Sequence, residues 1–150
     1  MDTDIYFMKE ALAYARQGFS IGEVPIGCVI VYEGEIIGHG FNERATRKNV
    51  LCHAEITAIN QACEYLNDWR LEKCRLYVTL EPCPMCAGAI VQARIPTVIF
   101  GTKSPKAGCA GSILNLLQEP RFNHRVEVIP GICEDECAKL MSDFFLQFRK

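Results

Sequence analysis

Two cysteines three residues apart stand where a helix is predicted to begin. Cys83 and Cys86 lie in LYVTLEPCPMCAGAIV, residues 76–91, where an apolar strand-like run ends at Glu-Pro and a small-residue helical pattern follows. Residues at i and i+3 share one side of a helix, and a helix N-terminus favours thiolate over thiol. The pair can therefore hold a zinc ion. Taken alone, a C-x-x-C pair is also compatible with a redox pair or with two buried thiols.

A third ligand is available at His53, which opens another predicted helix thirty positions before Cys83. One histidine and two cysteines make three protein ligands, which is typical of a catalytic zinc site with its fourth position open to water. Cys52 could close the site as a fourth, structural ligand. Adjacent residues point in different directions, however, so we favour the catalytic arrangement.

Glu55 follows His53 by two residues. Zinc lowers the pKa of water to ~7, and the resulting nucleophile needs a base for its proton and an acid for the leaving nitrogen. A carboxylate beside the metal, but not bound to it, can serve as both. A first-turn glutamate that complements the helix dipole is the simpler account. Beside these ligands we interpret Glu55 as the proton shuttle, which requires His53 at or just outside the helix start.

The elements that must position these residues alternate along the chain. Alternation of helices and strands predicts helices on both faces of one sheet, and an initial hairpin makes that sheet mixed, with the later strands parallel. Asp4 is placed to cap the first helix. The predicted elements are a helix over 4–19, a hairpin over 25–41 turning at Glu33-Gly34, a loop over 42–49, a helix over 53–67, a strand over 74–80, a helix over 86–94, a strand over 96–101, a loop over 104–111, a short helix over 112–118, a strand over 125–130 and a helix over 134–149.

Composition narrows the class of protein. The 150 residues are 49% hydrophobic and 23% charged with a net charge of −2, which is typical of one soluble globular domain and not of a protein that coats nucleic acid. No apolar run approaches the ~20 residues of a membrane span, and the N-terminus lacks the pattern of a signal peptide. Nine cysteines, an odd number and several of them in apolar runs, predict a reducing cytoplasm. Cys133 and Cys137, at i and i+4, are interpreted as helix packing.

The motifs resemble those of a known family. His53-Ala54-Glu55 with Pro82-Cys83-Pro84-Met85-Cys86 matches the H-x-E and P-C-x-x-C signature of zinc deaminases. The resemblance to bacterial tRNA-specific adenosine deaminases extends along nearly the whole chain. It is carried by EVPIGCVIV, FNERATRKN, HAEITAIN, WRLEKCRLYVTLEPCPMCAGAI, GCAGSILNLL and FNHRVEVIPGICEDECAKLMSDFF.

The resemblance implies a fold, an activity and an assembly. The fold is the cytidine-deaminase-like three-layer α/β/α class, with a central mixed five-stranded sheet, as a single zinc-dependent deaminase domain over 1–150. The activity is conversion of the wobble adenosine of an arginine tRNA anticodon to inosine, with one zinc per subunit. The assembly is a homodimer in which both subunits shape the RNA site. A homodimer would also cover the segment 86–95, which is apolar on nearly every side.

The resemblance also implies roles for individual residues. Asn42 would hydrogen-bond the target base and Ser104, where many relatives carry Asp, would contact the neighbouring ribose. From the residues alone, Asn42 is turn chemistry, and Ile26 and Phe145 are core residues. The implied set is the zinc ligands His53, Cys83 and Cys86, the shuttle Glu55, and the substrate-binding residues Asn42, Ile26, Ala54, Phe145 and Ser104.

Basic residues supply candidates for contact with RNA phosphates, although solvated loops are the simpler reading of their charge. Two other functions stay open: deamination of a free nucleobase or nucleoside of guanine or cytosine type, and a non-catalytic interaction module stabilised by zinc. The hypothesis of an interaction module predicts a fourth protein ligand to the zinc and no functional role for Glu55. The phosphate candidates are Arg44, Lys103, Lys106, Arg121 and Arg149.

Overall fold

The computed structural model describes residues 2–148. None of the helices in that range has the length and apolar character needed to cross a membrane. The elements are α1 (Asp2–Ser20), β1 (Gly27–Tyr32), β2 (Glu35–Phe41), α2 (Arg44–Arg47), α3 (Ala54–Leu66), β3 (Cys74–Leu80), α4 (Pro84–Gln92), β4 (Thr97–Thr102), a 3-10 helix (Leu116–Gln118), β5 (Glu127–Pro130) and α5 (Glu134–Phe148).

The five strands form one mixed sheet in the order β2-β1-β3-β4-β5. β1 pairs antiparallel with β2 and β3, whereas β3, β4 and β5 run parallel. Side chains alternate between the two faces of a strand. Cys28 and Ile30 therefore join the core under α3 and α4, while Val29 and Val31 join the core under α1 and α5. The predicted three-layer α/β/α class is confirmed.

Glycines in β2 let α3 lie directly on the strand. A Cβ added at Gly38 would come within 2.3 Å of the Ala58 carbonyl oxygen, and one at Gly40 within 2.8 Å of the Ala54 carbonyl oxygen. Real Cβ atoms do not approach backbone that closely, so only glycine permits this contact. The close packing places the start of α3, with Glu55, beside the end of β2.

Five predicted features were wrong, the first being the helix over 86–94, which runs over Pro84–Gln92 as α4. The loop over 42–49 contains the short helix α2, and β5 begins at Glu127, two residues later than predicted. Only Leu116–Gln118 of the predicted helix over 112–118 is helical, because the preceding residues form a turn in which Ala110 and Asn115 pair as an isolated antiparallel bridge. Asp4 lies inside α1, which begins at Asp2, so it does not cap this helix.

Asp4 instead ties α1 to the sheet, and its loss should destabilise the protein. Its carboxylate accepts hydrogen bonds from the Tyr77 hydroxyl at 2.6 Å and the Arg75 guanidinium at 3.0 Å. Burial opposes ionisation, but these hydrogen bonds lower the pKa of Asp4 below its ordinary value of 3.8. A lowered folded-state pKa stabilises the protein above pH 3.8, and this stabilisation is lost as the pH falls through the folded-state value.

We expect Asp4→Asn to lower the free energy of unfolding by about 1–3 kcal/mol at pH 7, the usual worth of hydrogen bonds to a charged group. The deficit relative to wild type should shrink as both proteins are titrated below pH 3.8. Urea denaturation of both proteins at several pH values measures the difference in the free energy of unfolding. Asp143→Asn, at an exposed pair with Lys139, is the matched control and should stay within about 0.5 kcal/mol of wild type. A pH-independent deficit at Asp4 would contradict the assignment.

Candidate metal centre and active site

Three potential metal ligands converge where two helices begin. His53 is the N-cap residue of α3, and Cys83 is the N-cap residue of α4, with Pro84 in the first helical position. Cys86 lies in the first turn of α4 and is buried. Proline suits that position because its missing N–H would have no partner in the helix. The site therefore forms beyond the carboxyl end of β3, where α/β sheets commonly bind ligands.

The donor atoms are spaced as one ion requires. The Nδ1 atom of His53 lies 3.5 Å from the Sγ atom of Cys83 and 3.6 Å from that of Cys86, and all three donor atoms lie within 4.8 Å of one another. Ligands at zinc–sulfur and zinc–nitrogen distances of ~2.3 and ~2.0 Å in a tetrahedron stand about 3.5 Å apart. The donor set therefore fits a zinc ion. Among residues 2–148, no fourth histidine, cysteine or carboxylate joins this cluster, and Cys52 is outside it.

Charge at the site is concentrated on Cys83. Hydrogen bonds from Cys86 and His53 lower the pKa of the Cys83 thiol to about 4, although partial burial opposes this. The pKa of Cys86 is raised by its hydrogen bond to Cys83 and by burial, and that of His53 is raised by its hydrogen bond to Cys83. Cys83 is therefore predisposed to bind as a thiolate. All nine cysteines are unpaired in this structure.

Glu55 is a buried carboxyl group beside these ligands. Its residue is 4% exposed and lies in the first turn of α3, two positions after the N-cap His53, as the spacing requires. Burial raises the pKa of Glu55 to about 7. A carboxyl group with a pKa near the working pH can both accept and donate a proton, which is the behaviour of a general acid and base.

A cavity of ≈ 180 Å³ opens onto these groups. Asn42 is 6% exposed, and its side-chain oxygen accepts the Arg44 N–H at 3.2 Å, so it belongs to the turn after β2 as well as to the cavity wall. Sequence reasoning missed four of the lining residues, and only Glu81, in the Glu-Pro before Cys83, carried a recognisable signal. The cavity is lined by Val24, Ile26, Asn42, Arg44, His53, Glu55, Leu80, Glu81, Cys83, Ser104 and Ala107.

The other predicted site residues lie in different places. Phe145 is 46% exposed on α5, so its interpretation as a core residue was wrong. It lines a neighbouring cavity of ≈ 750 Å³ together with Lys103, Lys106 and Ser104. Ser104 therefore borders both cavities. Ala54 is fully buried at the start of α3, Arg121 is exposed and paired with Glu119, and Arg149 lies outside the described residues.

Fold and site together define a deaminase. The family model of the MafB19-like deaminases matches residues 1–149. The chain is 51% identical to the tRNA-specific adenosine deaminase of Bacillus subtilis (strain 168), over 100% of this chain and 93% of that protein. It is 47% identical to the enzyme of the same name from Aquifex aeolicus (strain VF5), over 96% and 95%.

Solved structures give the same classification. A structure from work on A-to-I editing by tRNA:A34 deaminases at the wobble position superposes with a TM-score of 0.86 at 41% identity, over 90% of this chain and 98% of that one. The guanine deaminase of Nitrosomonas europaea shares the fold, with a TM-score of 0.78 at 20% identity over 91% and 81%. The chain belongs to the tRNA-specific adenosine deaminase family and is an enzyme.

Proposed function

We propose that the enzyme hydrolyses the wobble adenosine of an arginine tRNA anticodon loop to inosine, with one zinc ion per subunit. The observation that carries this proposal is that the cluster of His53, Cys83 and Cys86 shares a cavity with the buried carboxyl of Glu55, because His53, Cys83 and Glu55 all line it. Full-length similarity to tRNA-specific adenosine deaminases supports the substrate. A non-catalytic zinc module would require a fourth protein ligand, and none joins the cluster within residues 2–148.

The metal-ligand candidates and Glu55 have separate parts in the proposed reaction. His53, Cys83 and Cys86 would hold the zinc. When bound, zinc would supply the Lewis acidity that makes water a nucleophile at neutral pH. Glu55 accepts a proton from the water that attacks C6 of the adenine and passes it to N1 of the purine. It then takes the proton of the new C6 hydroxyl and gives it to the amino group, which leaves as ammonia while the C6 carbonyl forms. The carboxyl is regenerated at the end, as a general acid–base catalyst requires.

The remaining cavity residues are suited to hold the base. Asn42 would hydrogen-bond the purine edge and Ile26, half-buried on the cavity wall, would contact its face. The backbone at Ala54, between His53 and Glu55, would lie beside the reacting carbon. Ser104 would contact the ribose, as a neutral donor and acceptor. A base already unstacked in an anticodon loop reaches such a pocket at lower cost than a paired base.

The neighbouring cavity supports an RNA substrate over a free base. It adjoins the catalytic cavity at Ser104 and combines two exposed lysines, Lys103 and Lys106, with the exposed ring of Phe145. Proteins bind single-stranded RNA with basic side chains for phosphates and aromatic rings for bases. Arg44, which lines the catalytic cavity itself, adds a third basic residue to this set. Arg121 and Arg149 also remain proposed contacts with RNA phosphates. Arg121 lines neither of these two cavities, and Arg149 lies outside the described residues.

Charge reversal at Lys106 should weaken RNA binding through the salt-dependent part of the affinity. We expect Lys106→Glu to reduce affinity for an anticodon stem-loop, and the slope of log K against log salt concentration to become shallower by at least about 0.7. Lys73→Glu is the matched control, since Lys73 is exposed beside the amino end of β3, away from both cavities. Fluorescence anisotropy titrations from low to moderate salt measure the slope. An unchanged slope in Lys106→Glu would remove this residue from the interface.

We also propose a homodimer built from a single domain over 1–150, working in the cytoplasm where tRNA is found. Gly88 and Ala89 of α4 are only half-buried by this chain, and Phe122 nearby is 47% exposed. A second subunit would cover this apolar area. Sedimentation equilibrium at several concentrations tests the assembly, and a monomer at all of them would contradict it.

The decisive experiment is a deamination assay with purified, zinc-quantified protein. It compares an arginine-tRNA anticodon stem-loop bearing a wobble adenosine with free adenosine, guanine and cytosine. Formation of inosine in the stem-loop alone is the expected result. Activity on a free base without activity on the stem-loop would keep the chemistry and replace the substrate.

A further inference from the structure

Glu81 carries a buried carboxylate that the proposed mechanism does not use. The residue is 2% exposed, and among the ion pairs between described residues none includes it. Its oxygens are instead surrounded by N–H and O–H groups of one loop. A buried charge without a cation requires such donors, because each unpaired oxygen would carry the full cost of desolvation.

All of these donors belong to the segment between β4 and the 3-10 helix. The backbone N–H of Ser104 donates to Oε1 at 3.0 Å, and those of Ala110 and Ser112 donate to Oε2 at 2.9 and 3.0 Å. The Ser112 hydroxyl donates to Oε1. The Glu81 carboxylate thus binds both ends of a segment of nine residues, 104–112.

This segment is a wall of the catalytic cavity. Ser104 and Ala107 line the cavity that also contains His53 and Glu55. A backbone hydrogen bond joins the same segment to the chain just before Cys83, from the Cys109 N–H to the Pro82 carbonyl at 2.8 Å. A second, from the Glu81 N–H to the Thr102 carbonyl at 2.9 Å, ties Glu81 to the end of β4, just before the segment begins. Glu81 and Pro82 therefore connect the wall to the strand end that carries a zinc ligand.

Gly108 lies directly against the Glu81 carboxylate. A Cβ added at Gly108 would lie 2.3 Å from the Glu81 carboxyl carbon and 2.4 and 2.5 Å from its oxygens. The loop therefore passes directly over the carboxylate, at a point where only glycine fits.

We propose that Glu81 is a positioning residue for the deamination: its carboxylate holds segment 104–112 at a set distance from Cys83 and so aligns the nucleotide-facing wall with the metal and Glu55. This inference rests on the proposed function. Four donors converge on two oxygens, which a carboxylate satisfies with its lone pairs. A glutamine at this position offers one acceptor oxygen and an NH₂ group that faces N–H donors, so the segment would move.

The test compares Glu81→Gln with Glu72→Gln, an exposed glutamate before β3 that serves as the control. Zinc content, thermal stability, stem-loop affinity, kcat and KM are measured, together with hydrogen exchange at the amides of residues 104, 110 and 112. In Glu81→Gln we expect kcat to fall by about 10- to 100-fold, as for small misplacements of reacting groups. Stem-loop affinity is measured alongside, because the segment also carries Lys106, and kcat is determined with saturating RNA so that weaker binding does not enter it. Zinc content should be unchanged, and the three amides should exchange faster.

Two results would overturn the proposal. A purely structural role predicts lower thermal stability with normal kcat for the folded, zinc-loaded protein. Unchanged protection of the three amides would overturn it whatever the activity. The exchange measurement does not depend on activity, so it tests this proposal separately from the proposed function. If the wild-type protein were inactive on the stem-loop, that result would refute the proposed substrate alone. If Glu81→Gln does not fold, Gly108→Ala displaces the carboxylate without removing it and should produce the same loss of kcat.

Discussion

Glu55→Gln is expected to lower kcat for deamination of the anticodon stem-loop by about 100- to 10,000-fold, the usual contribution of a positioned general acid–base group. Glutamine keeps the size of the side chain but cannot carry a proton between water and the leaving nitrogen. Glu55 is 4% exposed, and burial raises its pKa to about 7, so both protonation states are accessible near neutral pH.

The same variant should retain its zinc and its fold, because Glu55 is outside the ligand cluster. Single-turnover kinetics with saturating enzyme, together with zinc quantification and a thermal melt, separate a chemical defect from loss of metal or structure. Glu64→Gln is the matched control, an exposed glutamate on the same helix that should leave kcat unchanged. A Glu55→Gln enzyme that keeps more than about a tenth of wild-type kcat would remove Glu55 from the proton-transfer role.

Cys86→Ser is expected to weaken zinc binding by more than about 100-fold, since residues that only support metal ligands already contribute about 10–100-fold. The Cys86 sulfur lies 3.6 Å from Nδ1 of His53 within the cluster, and a serine hydroxyl is a poor substitute for a thiolate. Deamination should be lost with the metal. Zinc per subunit after dialysis against a graded chelator measures the change.

Cys52→Ser provides the decisive comparison for the number of protein ligands. Cys52 precedes His53 in the chain but lies outside the ligand cluster. A catalytic site with three protein ligands predicts wild-type zinc affinity and activity in this variant. If Cys52→Ser released zinc as readily as Cys86→Ser, the site would be a closed structural one, and the role proposed for Glu55 would fall with it.

The candidate metal-binding cluster could be predicted because its geometry is mostly local. Cys83 and Cys86 share one side of α4 by helical spacing, and His53 and Glu55 are neighbours at the start of α3. The alternation of helices and strands likewise determined the layers and the mixed sheet, since connections between consecutive elements follow few rules. Only the contact between the starts of α3 and α4 depends on the tertiary fold. The presence of one histidine and two cysteines already implied that contact, because a metal ion needs all three ligands together.

The elements that were missed depend on partners distant in the chain. Asp4 has the position of a helix cap by sequence, yet it binds Tyr77 and Arg75, 73 and 71 residues away. Phe145 continues an apolar stripe along α5, but the stripe is wider than the surface it packs against, so this ring remains 46% exposed. Periodicity identifies an apolar face and cannot tell how much of it the neighbouring elements cover.

The sequence by itself determined which residues form the candidate metal cluster, and the tertiary structure decided how the cavity around it is built. Residue types and spacing specify a three-ligand metal site with an adjacent carboxyl, because metal ligands must be particular atoms in particular numbers. The cavity wall depends on Glu81 holding amides 23 to 31 residues further along the chain. Backbone N–H groups are the same in every residue except proline, so no sequence pattern marks which of them a buried carboxylate will bind.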